Sequence, residues 1–230
     1  MGRFFDMDNK FFTFMSRVSD LIILNLLCIL CCLPIVTAGA SITAMFYVTL
    51  KMVRNEEAYI AKSFFKSFKQ NLKQSIAIHL IMLVTAALLY FDLTISKSMS
   101  GLPGKALSVI FMMIMLLYVM VFIYIYPILS KFYNSVKNTF INAFLMAIRH
   151  LPYTLLMLVI TVLPVAILYI PTVRVQTLMI MLFLLLGFAT IAYINSHFFV
   201  KIFDNYIPKE NTPAEPNAPE QGNDSQVSGS

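Results

Sequence analysis

The sequence predicts an all-α, polytopic transmembrane bundle of about six membrane-embedded helices, on three observations. Charged residues make up only 12% of the chain and hydrophobic ones 59%, where soluble domains average about 25% and about 45–50%. So few charges could not cover a water-soluble globule of 230 residues. The apolar residues fall in long runs, each near the ~20 residues that a spanning helix needs. Basic residues sit between those runs, where the positive-inside rule places them.

The amino-terminal residues 1–18 are mixed, with Arg3, Asp6, Asp8, Lys10 and Arg17 among aromatic side chains. They read as a short cytoplasmic segment ahead of a membrane domain over residues 19–207. Residues 21–50 carry no formal charge. One straight helix of that length would measure about 45 Å, against a hydrocarbon core of about 30 Å. Pro34, Thr37 and Gly39 interrupt the run near its middle, and proline removes a helix donor while glycine permits a turn. The prediction is a hairpin, with one span over residues 19–36 and a shorter helix returning over 40–52. Whether it is a full two-span hairpin or a re-entrant segment stays open. Four further runs follow, over residues 76–95, 106–129, 151–170 and 175–200.

Charge tests the number of passes. With six, fourteen of the 17 basic residues fall on one side. Only Lys97, Lys105 and Arg174 fall on the other. If residues 21–50 crossed once, the split would be 11 against 6. Six passes with both termini in the cytoplasm separate the charge better. A signal peptide ending at Ala38-Gly39-Ala40 is the rival; cleavage there would put the basic 51–73 segment outside, against the charge rule. The net charge of +6 is explained by these loops and gives no reason to invoke nucleic acid.

The two inner loops look alike, since Phe64-Phe65-Lys66-Ser67-Phe68-Lys69 lines up with Phe132-Tyr133-Asn134-Ser135-Val136-Lys137. In the first, Phe64, Phe68 and Leu72 share one helical face. In the second, Val136, Phe140 and Phe144 recur every four residues. Both are expected to be amphipathic helices at the inner membrane surface. Lys62, Lys66, Lys69, Lys73, Lys131 and Lys137 then form a basic face toward anionic lipid headgroups. Residues 208–230 are rich in Pro, Glu, Asn and Ser, cannot bury enough surface to fold, and are expected to be a disordered cytoplasmic tail.

No catalytic pattern is present: neither H-E-x-x-H, nor paired intramembrane aspartates, nor G-x-S-x-G, nor a phosphate-cradling glycine loop. The three histidines are far apart and lack carboxylates at metal-ligand spacing. Cys28, Cys31 and Cys32 have the spacing of a zinc or redox pair but no partner ligands, and packing inside a helix is the simpler account. No enzyme, cofactor or metal site is expected. Polar groups within the spans are the remaining pointers to function. Asp20 lies near the inner end of the first span, Asn25 is deepest and is expected to bond another helix, and Asn195 lies near the inner end of the last span. His79 starts the third span, where a side chain can reach the interface. Pro34, Thr37, Gly39, Ser41 and Thr43 form a small, hydroxyl-rich cluster. They read either as a tight turn with internally satisfied donors, which is preferred, or as a broken helix facing a solute.

Several stretches resemble the YesL-like family of bacterial membrane proteins. They are Asp20-Leu-Ile-Ile-Leu-Asn25, Cys32-Leu-Pro-Ile-Val-Thr-Ala-Gly39, Thr43-Ala-Met-Phe-Tyr47, Tyr126-Pro-Ile-Leu129, Arg149-His-Leu-Pro152 and Phe198-Phe-Val-Lys-Ile-Phe-Asp204. The resemblance covers about residues 1–207; Cys28 stands where the family more often has a large aromatic residue. It implies a multi-pass protein of the bacterial cytoplasmic membrane, without established activity, whose genes often adjoin those for carbohydrate uptake and two-component regulation. An accessory component of carbohydrate uptake or sensing is therefore expected, with ABC-type sugar transporter or sensor-kinase subunits as partners. The alternative is a small-solute transporter in its own right, built around the Pro34–Thr43 break.

Overall fold

The computed structural model of the chain describes residues 2–56, 59–167 and 172–206, the side chains of 2–10 and 165 excepted. The predicted tail, from 208 onward, lies outside the described residues, as do residues 168–171, which include the last three of the fifth predicted span. The described residues form eight α-helices and no strand: α1 (Gly2–Cys32), α2 (Ala38–Val53), α3 (Ile60–Ser98), α4 (Leu102–Lys131), α5 (Val136–Arg149), α6 (Leu151–Ile167), α7 (Val173–Leu182) and α8 (Phe188–Phe203). A π-helical turn, Phe183–Gly187, joins α7 to α8 without a break, so the two make one rod.

By length and composition, five segments can cross a membrane: Phe11–Cys32, Ile35–Val53, Ile60–Ser98, Leu102–Lys131 and Val173–Phe203. The bent pair Val136–Arg149 and Leu151–Pro164, at 101°, raises the number to six. That is the predicted number. Outward-facing Leu80, Val84 and Leu88 on α3, and Val109, Met113 and Leu117 on α4, are exposed. An apolar belt of this extent needs hydrocarbon and not water around it.

The hairpin forms where Pro34 and Thr37 lie. The α1 helix ends at Cys32, a 3-10 turn occupies Ile35–Thr37, and α2 returns from Ala38. It is also the most enclosed helix, with Ala40, Ser41, Thr43, Ala44, Val48 and Thr49 all fully buried. Small residues on α2 let its neighbours approach closely. Gly39 is the extreme case: a Cβ there would lie 2.7 Å from His79 Cβ and 2.9 Å from the Ser75 carbonyl oxygen. Nothing larger than glycine fits between α2 and α3 at that level.

Three differences from the sequence reading have local causes. The first helix starts at Gly2, so residues 2–18, predicted as a segment ahead of the first span, are helical and continuous with it; nothing in them breaks a helix after its start. The first basic segment is likewise the start of α3 and not a distinct interfacial helix, because residues 60–76 contain neither proline nor glycine. At 39 residues, α3 is about 58 Å long, well beyond the ~30 Å core. Only the second segment is its own helix. Ser135 caps α5, accepting from the Asn138 N–H at 3.3 Å, and Pro152 in the first turn of α6 follows the sharp bend. The two look-alike stretches thus differ in structure: residues 64–69 are helix interior, whereas 132–137 straddle a loop.

Candidate functional site

The interior is held by polar pairs between helices. Asn25 on α1 grips the π turn: its Nδ2 donates to the Phe183 and Leu184 carbonyls at 3.0 and 2.8 Å. Its Oδ1 accepts from the Ala189 N–H at 3.0 Å. A π turn breaks the regular backbone ladder, and this amide supplies partners to groups that the break leaves under-bonded. Thr49 on α2 lies 2.8 Å from Ser196 on α8, and Tyr124 on α4 lies 2.8 Å from Thr154 on α6. His79 Nδ1 sits 2.7 Å from the Tyr126 hydroxyl. That histidine is buried between α2 and α4 and does not reach an interface, as its place near a helix end had suggested. Its depth follows from Gly39, which draws α2 against it.

The hairpin cluster is closed on itself. Thr37 Oγ1 donates within reach of the Cys31 and Pro34 carbonyls, Ser41 to the Cys28 carbonyl, and Thr43 to the Gly39 carbonyl, all at 2.7–2.9 Å. Thr43 also faces Ser75 on α3 at 3.4 Å. The Cys28 and Cys32 sulfurs are 4.0 Å apart with both thiols free. Asn195 on α8 donates to Thr161 Oγ1 at 3.1 Å, while its buried Oδ1 has no partner among the described residues. Asp20 is half-buried one turn beyond Arg17. No group of three or more metal-ligating side chains occurs among the described residues.

The contacts at one end of the bundle gather the basic residues. Arg17 donates to the Met52 carbonyl and to Asn55 Oδ1, at 3.1 and 2.7 Å. Arg54 pairs with Asp204, Gln74 donates to the Asn134 carbonyl at 2.6 Å, and His150 Nε2 meets the Tyr206 hydroxyl at 3.1 Å. Lys62, Lys66, Lys69, Lys73, Lys131 and Lys137 are all exposed there. They do not act alike in space. Only Lys66 and Lys131 line a common pocket of about 240 Å³, and Lys51 from α2 joins them. Lys51 is not on the basic face predicted from the sequence because it lies near the end of an apolar helix and belongs to neither amphipathic segment. Its only signal was that it begins the longest basic stretch after a span.

Residues 21–93 match the family described as "Protein of unknown function, DUF624". That stretch includes the hairpin and most of α3, so Gly39 and His79, which fix their packing, both lie within it. The chain is also similar to "Uncharacterized protein YesL" of Bacillus subtilis (strain 168), with 28% identity over 150 residues, covering 65% of this chain and 70% of that protein. No solved structure matches. By these matches, and by the residues that first suggested it, the chain is similar to the YesL-like proteins, a family of unknown function.

Proposed function

We propose that this protein is a non-catalytic, accessory component of a bacterial cytoplasmic membrane, working through contacts at its basic end. The observation that carries this is how its polar side chains are used. Asn25, Thr49, Tyr124, Thr154 and Ser196 bridge helices, and Thr37, Ser41 and Thr43 bond carbonyls of their own hairpin. These groups direct their hydrogen bonds to one another and to the backbone, which supports a rigid bundle and weighs against a transporter acting alone. The basic end carries its unpaired polar groups outward. The positive-inside rule supports a cytoplasmic placement for that end and for both termini. Exposed lysines beside the spans are attracted to anionic headgroups by ~1 kcal/mol each.

The link to carbohydrate uptake or sensing rests on what the family resemblance implies, and its candidate partners are ABC-type sugar transporter or sensor-kinase subunits. A mild-detergent pull-down of the tagged chain from its native membranes, read by mass spectrometry, tests it. Stoichiometric recovery of such subunits is expected. Recovery of the chain alone, together with solute uptake by vesicles containing only this protein, would overturn the proposal in favour of the transporter.

A further inference from the structure

The charge at the basic end is concentrated in one place. Lys51 near the end of α2, Lys66 on α3 and Lys131 at the end of α4 reach the same pocket from three helices, with Tyr47, Gln70 and Ser130 beside them. Lys51 is steered there by its surroundings. Its ammonium lies 5.3 Å from the Tyr47 ring centre and 3.8 Å from a Glu56 carboxylate oxygen, too long for a hydrogen bond. Among the described residues, Lys66 and Lys131 have no acidic partner within ion-pair distance. Three lysines lining one small volume, against one loosely engaged carboxylate, give it an excess of positive charge that an anion would offset.

We propose that this pocket binds a phosphate group. Lysine suits phosphate as a point charge, whereas carboxylates are matched by the planar fork of arginine, and no arginine lines the pocket. Its volume of about 240 Å³ falls just under the ~300 Å³ at which whole small-molecule sites begin. It therefore takes a phosphate with a small polar substituent of glycerol or sugar size. Two sources share that chemistry, a lipid headgroup of the adjoining leaflet and a soluble phosphate ester. The site deepens the proposal above by giving the basic end a discrete, saturable ligand. It relies on that proposal only for the side of the membrane, and a failed pull-down would leave the binding measurement intact.

The test uses the full chain in nanodiscs of phosphatidylcholine. One arm adds glycerol 3-phosphate to the neutral discs, and the other replaces part of the lipid with phosphatidic acid. Binding is read by phosphorus NMR and by the shift in thermal midpoint. Saturable binding of one phosphate per chain is expected in at least one arm, and the arm identifies the source. The triple variant Lys51→Gln, Lys66→Gln, Lys131→Gln should weaken it about fivefold for each lysine removed. The triple variant Lys62→Gln, Lys69→Gln, Lys137→Gln changes net charge equally; it should leave glycerol 3-phosphate binding within about twofold, and with phosphatidic acid it should weaken the diffuse lipid attraction while keeping the saturable site of one phosphate per chain. The single variant Lys131→Gln, an exposed change, gives the same comparison if the pocket triple does not fold. Equal losses in both triples, or no saturable binding in either arm, would overturn the site.

Discussion

Replacing Asn25 with alanine should destabilise the bundle far more than one small side chain usually does. The amide makes three bonds across to the π turn, two as donor and one as acceptor. Side-chain hydrogen bonds between membrane helices average about 0.6 kcal/mol and reach about 1.7. Three of them give about 2 kcal/mol, with a ceiling near 5. Local repair is obstructed. Closing the π turn into regular α-helix would change the relative rotation of α7 and α8 by about 100°, the angle one residue subtends. That would turn Ser196 from Thr49, or α7 from the bundle. Asn25→Asp should cost at least as much, because it keeps the acceptor for Ala189 but sets oxygen against the Phe183 and Leu184 carbonyls. Equilibrium unfolding in mixed micelles, followed by helical circular dichroism as the denaturing detergent is raised, measures the loss. An Asn25→Ala protein within about 0.5 kcal/mol of the parent, the scatter of an ordinary surface change, would refute this account of the π turn.

Three further outcomes are expected. Asn195→Leu should cost less than Asn25→Ala in the same unfolding measurement, since it loses one bond to Thr161 but also removes a buried acceptor that has no partner among the described residues. Gly39→Val should lower stability by about 1–3 kcal/mol, the usual overpacking cost, because its Cβ meets His79 Cβ at 2.7 Å; a neutral result would mean that α2 and α3 are not in contact there. His150, in the bend between α5 and α6, is held below its ordinary value of 6.5 by burial, and secondarily by the Arg149 charge. Its folded value is thus below its unfolded one, so its contribution is complete above 6.5 and is lost as pH falls through the lower folded value. The thermal midpoint of the parent should fall more than that of His150→Gln as the solution is acidified below that point, and parallel curves would contradict it.

Much of the fold was legible because a bilayer imposes simple rules. Run length separated the spans, and Pro34 and Thr37 marked the turn between α1 and α2. The continuity of α3 is readable too, in the absence of any breaker over residues 60–76, although the change to a basic composition there resembles a change of element. The interior contacts were less accessible. Asn25 could be singled out as a polar group deep in an apolar run, yet its partners lie more than 150 residues away and are backbone atoms freed by a π turn. No periodicity announces such a turn in an unbroken apolar helix. His79 looked interfacial because its depth depends on Gly39, forty residues earlier. Lys51, Lys66 and Lys131 belong together only once three helices are assembled.

The central claim is a six-pass bundle whose basic end faces the cytoplasm. Single cysteines at exposed positions, in a chain with Cys28, Cys31 and Cys32 replaced by alanine, test it directly with a membrane-impermeant maleimide. Lys97→Cys and Arg174→Cys should label in intact cells. Lys69→Cys and Lys201→Cys should label only after permeabilisation. Labelling of Lys69→Cys in intact cells, or of Lys69→Cys and Lys97→Cys from the same side, would contradict the account.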